Sequence, residues 1–329
     1  MLSRTADNLY WLSRYVERAE YLARILDATQ RLSALPLAYV GSSNEWESAV
    51  LTAGCANAFF KAYDEANEEN VTDFLAFSTA NSSSIRSCFE MARSNARAVR
   101  TALTMEMWDA INGTWLELKR YGNGPASREE VSRFLRWVQE SSLRYDGSAY
   151  RTMLRNDAYW FSRLGVYLER ADNTARILDV KYHLLLPDNE RVGGPLDYFQ
   201  WAAILRSVSA LTAYHWVYRE SLQPWLVADL LILKEEMPRS LASCYEAVVR
   251  NLDQVAAPGC RTARWTAFSS AACTSTSANS SPRTTGWAPP SPSSSCYEPA
   301  RDIYIAHDLI RKPVPTFRDH AQPVLERHR

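Results

Sequence analysis

One segment of this chain occurs twice, and that repetition constrains the fold more than any other feature. Glu17-Arg18-Ala19-Glu20-Tyr21-Leu22-Ala23-Arg24-Ile25-Leu26-Asp27 returns as Glu169-Arg170-Ala171-Asp172-Asn173-Thr174-Ala175-Arg176-Ile177-Leu178-Asp179, with eight of eleven positions identical and Glu20 exchanged for Asp172. A matching lead-in precedes each copy, Tyr10-Trp11-Leu12-Ser13-Arg14 and Tyr159-Trp160-Phe161-Ser162-Arg163, the second standing three residues further upstream. Three residues are close to one helical turn, so the shift roughly keeps the helix face. Ala92-Arg93-Ser94-Asn95-Ala96-Arg97 is a looser third echo. The period is far too long for a solenoid. It reads as two related helical halves.

Helical spacing runs through most of the chain. Leu9, Leu12, Val16, Leu22, Ile25 and Leu26 predict a long helix from Thr5 to about Leu32, with no glycine or proline before Pro36. Ser43 or Asn44 can cap a helix through Tyr63, and Ser82 or Ser83 one reaching about Leu103. Shorter helices are expected around Trp108 and Trp115, ending at the breaker cluster Gly122-Asn123-Gly124-Pro125. Ser127-Arg128-Glu129-Glu130 opens a helix to about Tyr145, and the second repeat predicts a long helix from Ser148 to Leu186. Further helices are expected from Asp197, after Ser209, after Pro224 and after Pro238. Tryptophans such as Trp137, Trp201 and Trp216 fall at core spacing. Runs of alternating β-branched residues are absent, so the class is all-α: a helical bundle whose halves span about 1–122 and 126–255.

The formal charge of zero hides an uneven split, because residues 260–329 hold nine Lys+Arg against five Asp+Glu and leave 28 against 32 before them. A mildly acidic body does not fit non-specific nucleic-acid binding, which needs clustered positive charge. No apolar run approaches the ~20 residues that span a bilayer, and no signal peptide opens the chain. Cys55, Cys88 and Cys244 are scattered and form no CxxC pair. A cytoplasmic, bacterial-type protein is expected. Neither His183 nor His215 follows a Glu-x-x pattern, so no metal site is read, and Gly41, Gly54 and Gly165 make no phosphate loop. No cofactor is expected.

The charged residues of the repeats carry the candidate chemistry. Arg14, Glu17, Arg18 and Tyr21 share one helix face, and Arg163, Glu169, Arg170, Asn173 and Arg176 form a broader stripe on the second copy. Facing pairs joined by Arg93, Asn95 and Arg97, with Arg24 on the same repeat, would make a polar centre able to hold a carboxylate, phosphate or peptide. An interhelical ion-pair network that fixes register explains the same residues. Glu17 and Glu169 are also candidates for paired acid/base catalysis, although neighbouring arginines would lower both pKa values and disfavour an acid.

The tail differs in kind. From Thr266 to Cys296, 26 of 31 residues are Ser, Thr, Ala, Pro or Cys, and no Leu, Ile, Val, Met, Asp, Glu or Lys occurs from Ala256 to Tyr297. One reading of 256–329 is a low-complexity, disordered linker. The other is a frameshift: codons for Trp265 to Ser291 read one nucleotide earlier permit LDGILQRGLHEYISEFIAENNRLGAAI, which has the helix period the printed text lacks.

The opening Met1-Leu2-Ser3-Arg4-Thr5-Ala6-Asp7-Asn8-Leu9-Tyr10-Trp11-Leu12 and the Glu17-Arg18-Ala19-Glu20 after it resemble the bacterial alpha-E domain family. So do Ala92 to Arg97, Tyr182-His183-Leu184-Leu185-Leu186-Pro187, Trp201 to Ser209 and Pro238-Arg239-Ser240, over roughly residues 1–255. The resemblance implies an all-helical protein encoded beside, or fused to, a circularly permuted ATP-grasp-type ligase and near a transglutaminase-like peptidase. Such neighbours imply a peptide- or amide-bond-forming system.

Overall fold

The computed structural model describes residues 1–34, 45–121, 127–184 and 195–256. All regular elements among these residues are helical. They are α1 (Ser3–Ser33), α2 (Glu45–Thr52), α3 (Ala56–Phe59), α4 (Glu68–Thr72), α5 (Ile85–Ala98), α6 (Met105–Leu118), α7 (Arg128–Thr152), α8 (Asp157–Leu184), α9 (Pro195–Ser207), α10 (Leu211–Tyr218), α11 (Pro224–Ile232) and α12 (Leu241–Ala256). The Gly122-Pro125 boundary and almost all of the tail lie outside the described residues.

Helix α1 is the axis of the bundle and packs against α5, α7, α8 and α9. The five consecutive residues Ala19, Glu20, Tyr21, Leu22 and Ala23 are all buried, so this helix has no wet face at its centre. A helix enclosed on every side needs neighbours all round it. Its N-terminal half, through Leu9, Leu12 and Val16, joins an apolar cluster with Met107, Ile111, Tyr145 and Tyr159. Its C-terminal half, from Ala19 onward, joins a second cluster with Phe74, Phe89, Phe134, Leu205 and Leu230. Glu17 and Arg18 fall between the two clusters.

Helices α1 and α8, which carry the two repeats, run side by side and parallel. The Met1 amino group meets Asp157, Ser13 Oγ lies 2.7 Å from Ser162 Oγ, and Arg18 meets Glu169, so the partner numbers rise together. Gly165 makes the close crossing possible: a Cβ there would lie 2.3 Å from the Tyr10 carbonyl oxygen and 3.2 Å from Ser13 Cβ. The serines that touch are equivalent positions of the two lead-ins.

Several boundaries differ from those the sequence suggests. The helix expected through Tyr63 stops at Thr52, where Gly54 takes φ +71° and the Gly54 and Cys55 amides donate back to the Leu51 and Val50 carbonyls. This is a Schellman ending, for which glycine at C′ is well suited. Helix α7 runs through Gly147 to Thr152, and the chain breaks at 153–156, not at 146–147. Asn156 then accepts a hydrogen bond from the Ala158 amide and starts α8. Residues 68–77 form α4 and a π-helical turn that the periodicity did not indicate. Trp201 is core, whereas Trp216 is 77% exposed. The Ser127 cap is present, with its Oγ accepting from the Glu130 amide, and Pro224 opens α11.

Candidate functional site

The two Glu-Arg pairs engage each other crosswise. Arg170 on α8 donates through Nε and Nη2 to the two oxygens of Glu17 at 2.9 and 3.0 Å. Reciprocally, Arg18 on α1 donates through Nε and Nη2 to the two oxygens of Glu169 at 2.6 and 3.1 Å. Both are forked arginine–carboxylate contacts, the strongest and most directional of ion pairs. Each glutamate takes a second arginine: Arg14 Nε reaches Glu169 at 2.6 Å, and Arg239 Nη1 reaches Glu17 at 2.8 Å. Arg239 also donates to Glu20 at 2.8 Å, and Glu20 further accepts from Arg24 and from Ser142 Oγ on α7. Aromatic rings clad the rim, with Arg14 over Trp11 and Tyr10, Arg18 over Tyr15 and Arg170 over Tyr167.

Every oxygen of the Glu17, Glu20 and Glu169 carboxylates therefore has a donor. The three carboxylates are 4%, 3% and 1% exposed, respectively. Burial alone would raise the Glu17 carboxyl, but the guanidinium groups of Arg170 and Arg239 outweigh it and hold the group at about 2, against an ordinary value of 4.5. Burial likewise opposes ionisation of Glu169, and Arg18 and Arg14 overcome it to keep that carboxyl below its ordinary value. Two adjacent networks result, Arg14 and Arg18 around Glu169, and Arg24, Arg170 and Arg239 around Glu17 and Glu20, and each holds one more arginine than carboxylate.

The remaining residues of the expected centre are distributed differently. Arg24 and Arg176 each bind the acidic residue one turn before them, Glu20 and Asp172. Arg24 also donates to Ser209 Oγ at 2.8 Å. Arg163, the counterpart of Arg14, stands six residues before its glutamate instead of three, one turn too far away, and binds Asp146 of α7 and the Tyr167 hydroxyl instead. Asn173 is buried beside the centre, and its Nδ2 has no hydrogen-bond partner among the described residues. Arg93 turns to Asn112 of α6, Asn95 is half-buried and Arg97 exposed, so the third echo does not bridge the pairs. Arg239 enters from the loop before α12, positioned by Thr174 Oγ1 donating to its carbonyl. Helical spacing does not single it out, and its signal in the sequence is the Pro238-Arg239-Ser240 triplet.

This geometry restricts the chemistry. Carboxyls held ionised far below neutrality do not deliver a proton near pH 7. Burial pushes the thiols of Cys55 and Cys244 up to about 11 and that of Cys88 up to about 12, away from thiolate chemistry. No group of His, Cys, Asp and Glu able to hold a metal ion occurs among the described residues. No described helix is long and apolar enough to cross a membrane. A cavity of about 70 Å³ lies between α1, α2, α8 and α9, lined by Ile25, Ile177, Ile204 and the buried Gln200. At ~30 Å³ per water it has room for only a few.

The depressed carboxyls make stability depend on acid. A group whose pKa falls on folding stabilises fully above its unfolded value, and that contribution is lost as pH falls toward the folded one. For Glu17 the window runs from 4.5 down to about 2. The thermal midpoint should stay level from neutrality to about pH 5 and drop steeply below about pH 4. Circular dichroism melts across that range test this, and a level midpoint at pH 3 contradicts it.

Comparison with curated proteins and with solved structures finds no match. The family model that matches covers residues 1–282 and is described as "a predicted alpha-helical domain with a conserved ER motif". Glu17-Arg18 and Glu169-Arg170 are two copies of such a Glu-Arg pair, locked crosswise at the middle of the bundle, and the chain belongs to the Alpha-E family.

Proposed function

We propose that this protein is a non-catalytic helical partner of an ATP-grasp-type ligase, working beside a transglutaminase-like peptidase in a peptide- or amide-bond-forming system. The supporting observation is that Glu17 and Glu169 have every carboxylate oxygen occupied by internal arginines. Groups committed in this way hold two helices in register, and the bond-forming chemistry then falls to another chain. The identity of that chain rests on the family resemblance. The alternative, an enzyme using Glu17 and Glu169 as acid and base, fits less well because both are held ionised.

Affinity purification of the tagged protein from a native lysate, followed by size exclusion and mass spectrometry, tests the reading. The expected result is a stable complex with the ATP-grasp-type protein encoded alongside, and ATP turnover only in that complex. A solitary protein that by itself forms product, and loses this on Glu17→Gln with its fold intact, would overturn it.

A further inference from the structure

The likeness between the two ends of the chain extends well beyond the repeated segment. Helix α9 ends as α2 does: Ser209 takes φ +56°, and the Ser209 and Ala210 amides donate to the Arg206 and Leu205 carbonyls in the pattern seen at Gly54 and Cys55. The two turns face equivalent arginines of the opposite repeat, Arg24 at Ser209 and Arg176 at Gly54. Tyr63 donates to Asp73, and Tyr218 to Asp229, both at 2.5 Å. Ser84-Ile85-Arg86-Ser87-Cys88-Phe89-Glu90 aligns with Ser240-Leu241-Ala242-Ser243-Cys244-Tyr245-Glu246. Ser84 and Ser240 both accept from the amide three residues on, at 3.1 and 3.0 Å, and Cys88 and Cys244 are both fully buried.

Helices α1 and α5 therefore correspond to α8 and α12, but the two pairs are not equally covered. Helix α7 closes over the first pair. Phe89 is 1% exposed with its ring 6.3 Å from that of Trp137, Ala19 and Ala23 are fully buried, and Ser142 binds Glu20. On the second pair the counterpart of Phe89, Tyr245, is 73% exposed, and Ala171, Asp172 and Ala175 are only partly buried. Val249 extends this apolar face one turn along α12. A matched face, buried in one instance and open in the other, calls for a helix like α7.

We infer that the outer face of α8 and α12, centred on Tyr245, seats an amphipathic helix equivalent to α7, and that its occupant is the peptide LDGILQRGLHEYISEFIAENNRLGAAI, which the codons for Trp265–Ser291 permit when read one nucleotide earlier. The peptide carries the elements that seat α7. Its FIAENN aligns with Trp137-Val138-Gln139-Glu140-Ser141-Ser142, placing Phe where Trp137 packs on Phe89 and Asn where Ser142 binds Glu20. The counterpart of Glu20 is Asp172, so an asparagine amide there has a carboxylate to meet. The Ile three residues before that Phe falls at Phe134 and the Ile after it at Val138, both fully buried in α7. This inference is independent of the ligase partnership.

The test adds the synthetic 27-residue peptide to the chain as it stands, and to a Tyr245→Asp variant, with a scrambled peptide as control. Tyr245 is exposed, so the variant keeps its fold. Hydrogen exchange followed by mass spectrometry should show α12 amides slowed about tenfold or more by the peptide, with no slowing in Tyr245→Asp. Unchanged exchange, equal protection by the scrambled peptide, or undiminished protection in Tyr245→Asp would each overturn the inference.

Discussion

Replacing Glu169 by glutamine should lower the free energy of unfolding by about 3–5 kcal/mol, because it leaves Arg14 and Arg18 buried without their counter-charge. Their side chains are 14% and 23% exposed and share the Glu169 carboxylate, so neither has an easy route to water. Against a typical total of about 5–15 kcal/mol, such a loss removes a large part of the stability. The comparison is Asp27→Asn, which breaks the surface pair with Arg31, whose side chains are 32% and 59% exposed. That change should cost less than ~1 kcal/mol. Urea unfolding of both variants separates the cases. A Glu169→Gln midpoint no lower than that of Asp27→Asn would show that the fold does not need the centre, and would return it to candidacy as a ligand site.

The second large effect is expected at Gly165. Helix propensity favours alanine over glycine by ~1 kcal/mol in a helix interior. Here the added methyl would stand 2.3 Å from the Tyr10 carbonyl oxygen, a backbone atom that can move only if α1 moves. Forced separation of α1 and α8 would also stretch the Ser13–Ser162 contact and the crossed Glu-Arg pairs, so Gly165→Ala should be destabilising by about 2–3 kcal/mol. Gly147 is the control, since a Cβ there meets nothing within 4 Å. Gly147→Ala should stabilise by about 0.5–1 kcal/mol. Thermal melts of the two variants should move in opposite directions; a shared upward shift would mean that the helices do not need the glycine to approach.

Much of the helical content is legible in local chemistry. The glycine- and proline-free run marks α1 within two residues at each end, Ser127 caps α7 as its hydroxyl suggests, and Pro224 starts α11 where its fixed φ is tolerated. Local chemistry misplaces boundaries that depend on neighbours. Gly147 stays inside α7, whereas Gly54 ends α2 against Arg176. The charged centre was legible in kind but not in connection. Repetition marks Glu17, Arg18, Glu169 and Arg170, yet periodicity does not reveal that each glutamate binds the arginine of the other helix. Arg239 joins Glu17 across more than two hundred residues, and no spacing rule reaches so far.

The sequence by itself determined that the chain is helical, that two of its helices carry the same Glu-Arg segment, and that the printed tail lacks an amphipathic pattern. These follow from properties confined to a few turns of chain: propensity, period and composition. Only the tertiary structure decided that α1 and α8 lie parallel at a glycine crossing, that Arg163 and Arg93 turn away while Arg239 turns in, and that the carboxylates are locked as ions. Those outcomes depend on desolvation and on which charge stands within hydrogen-bond reach, and both arise only when distant segments pack together.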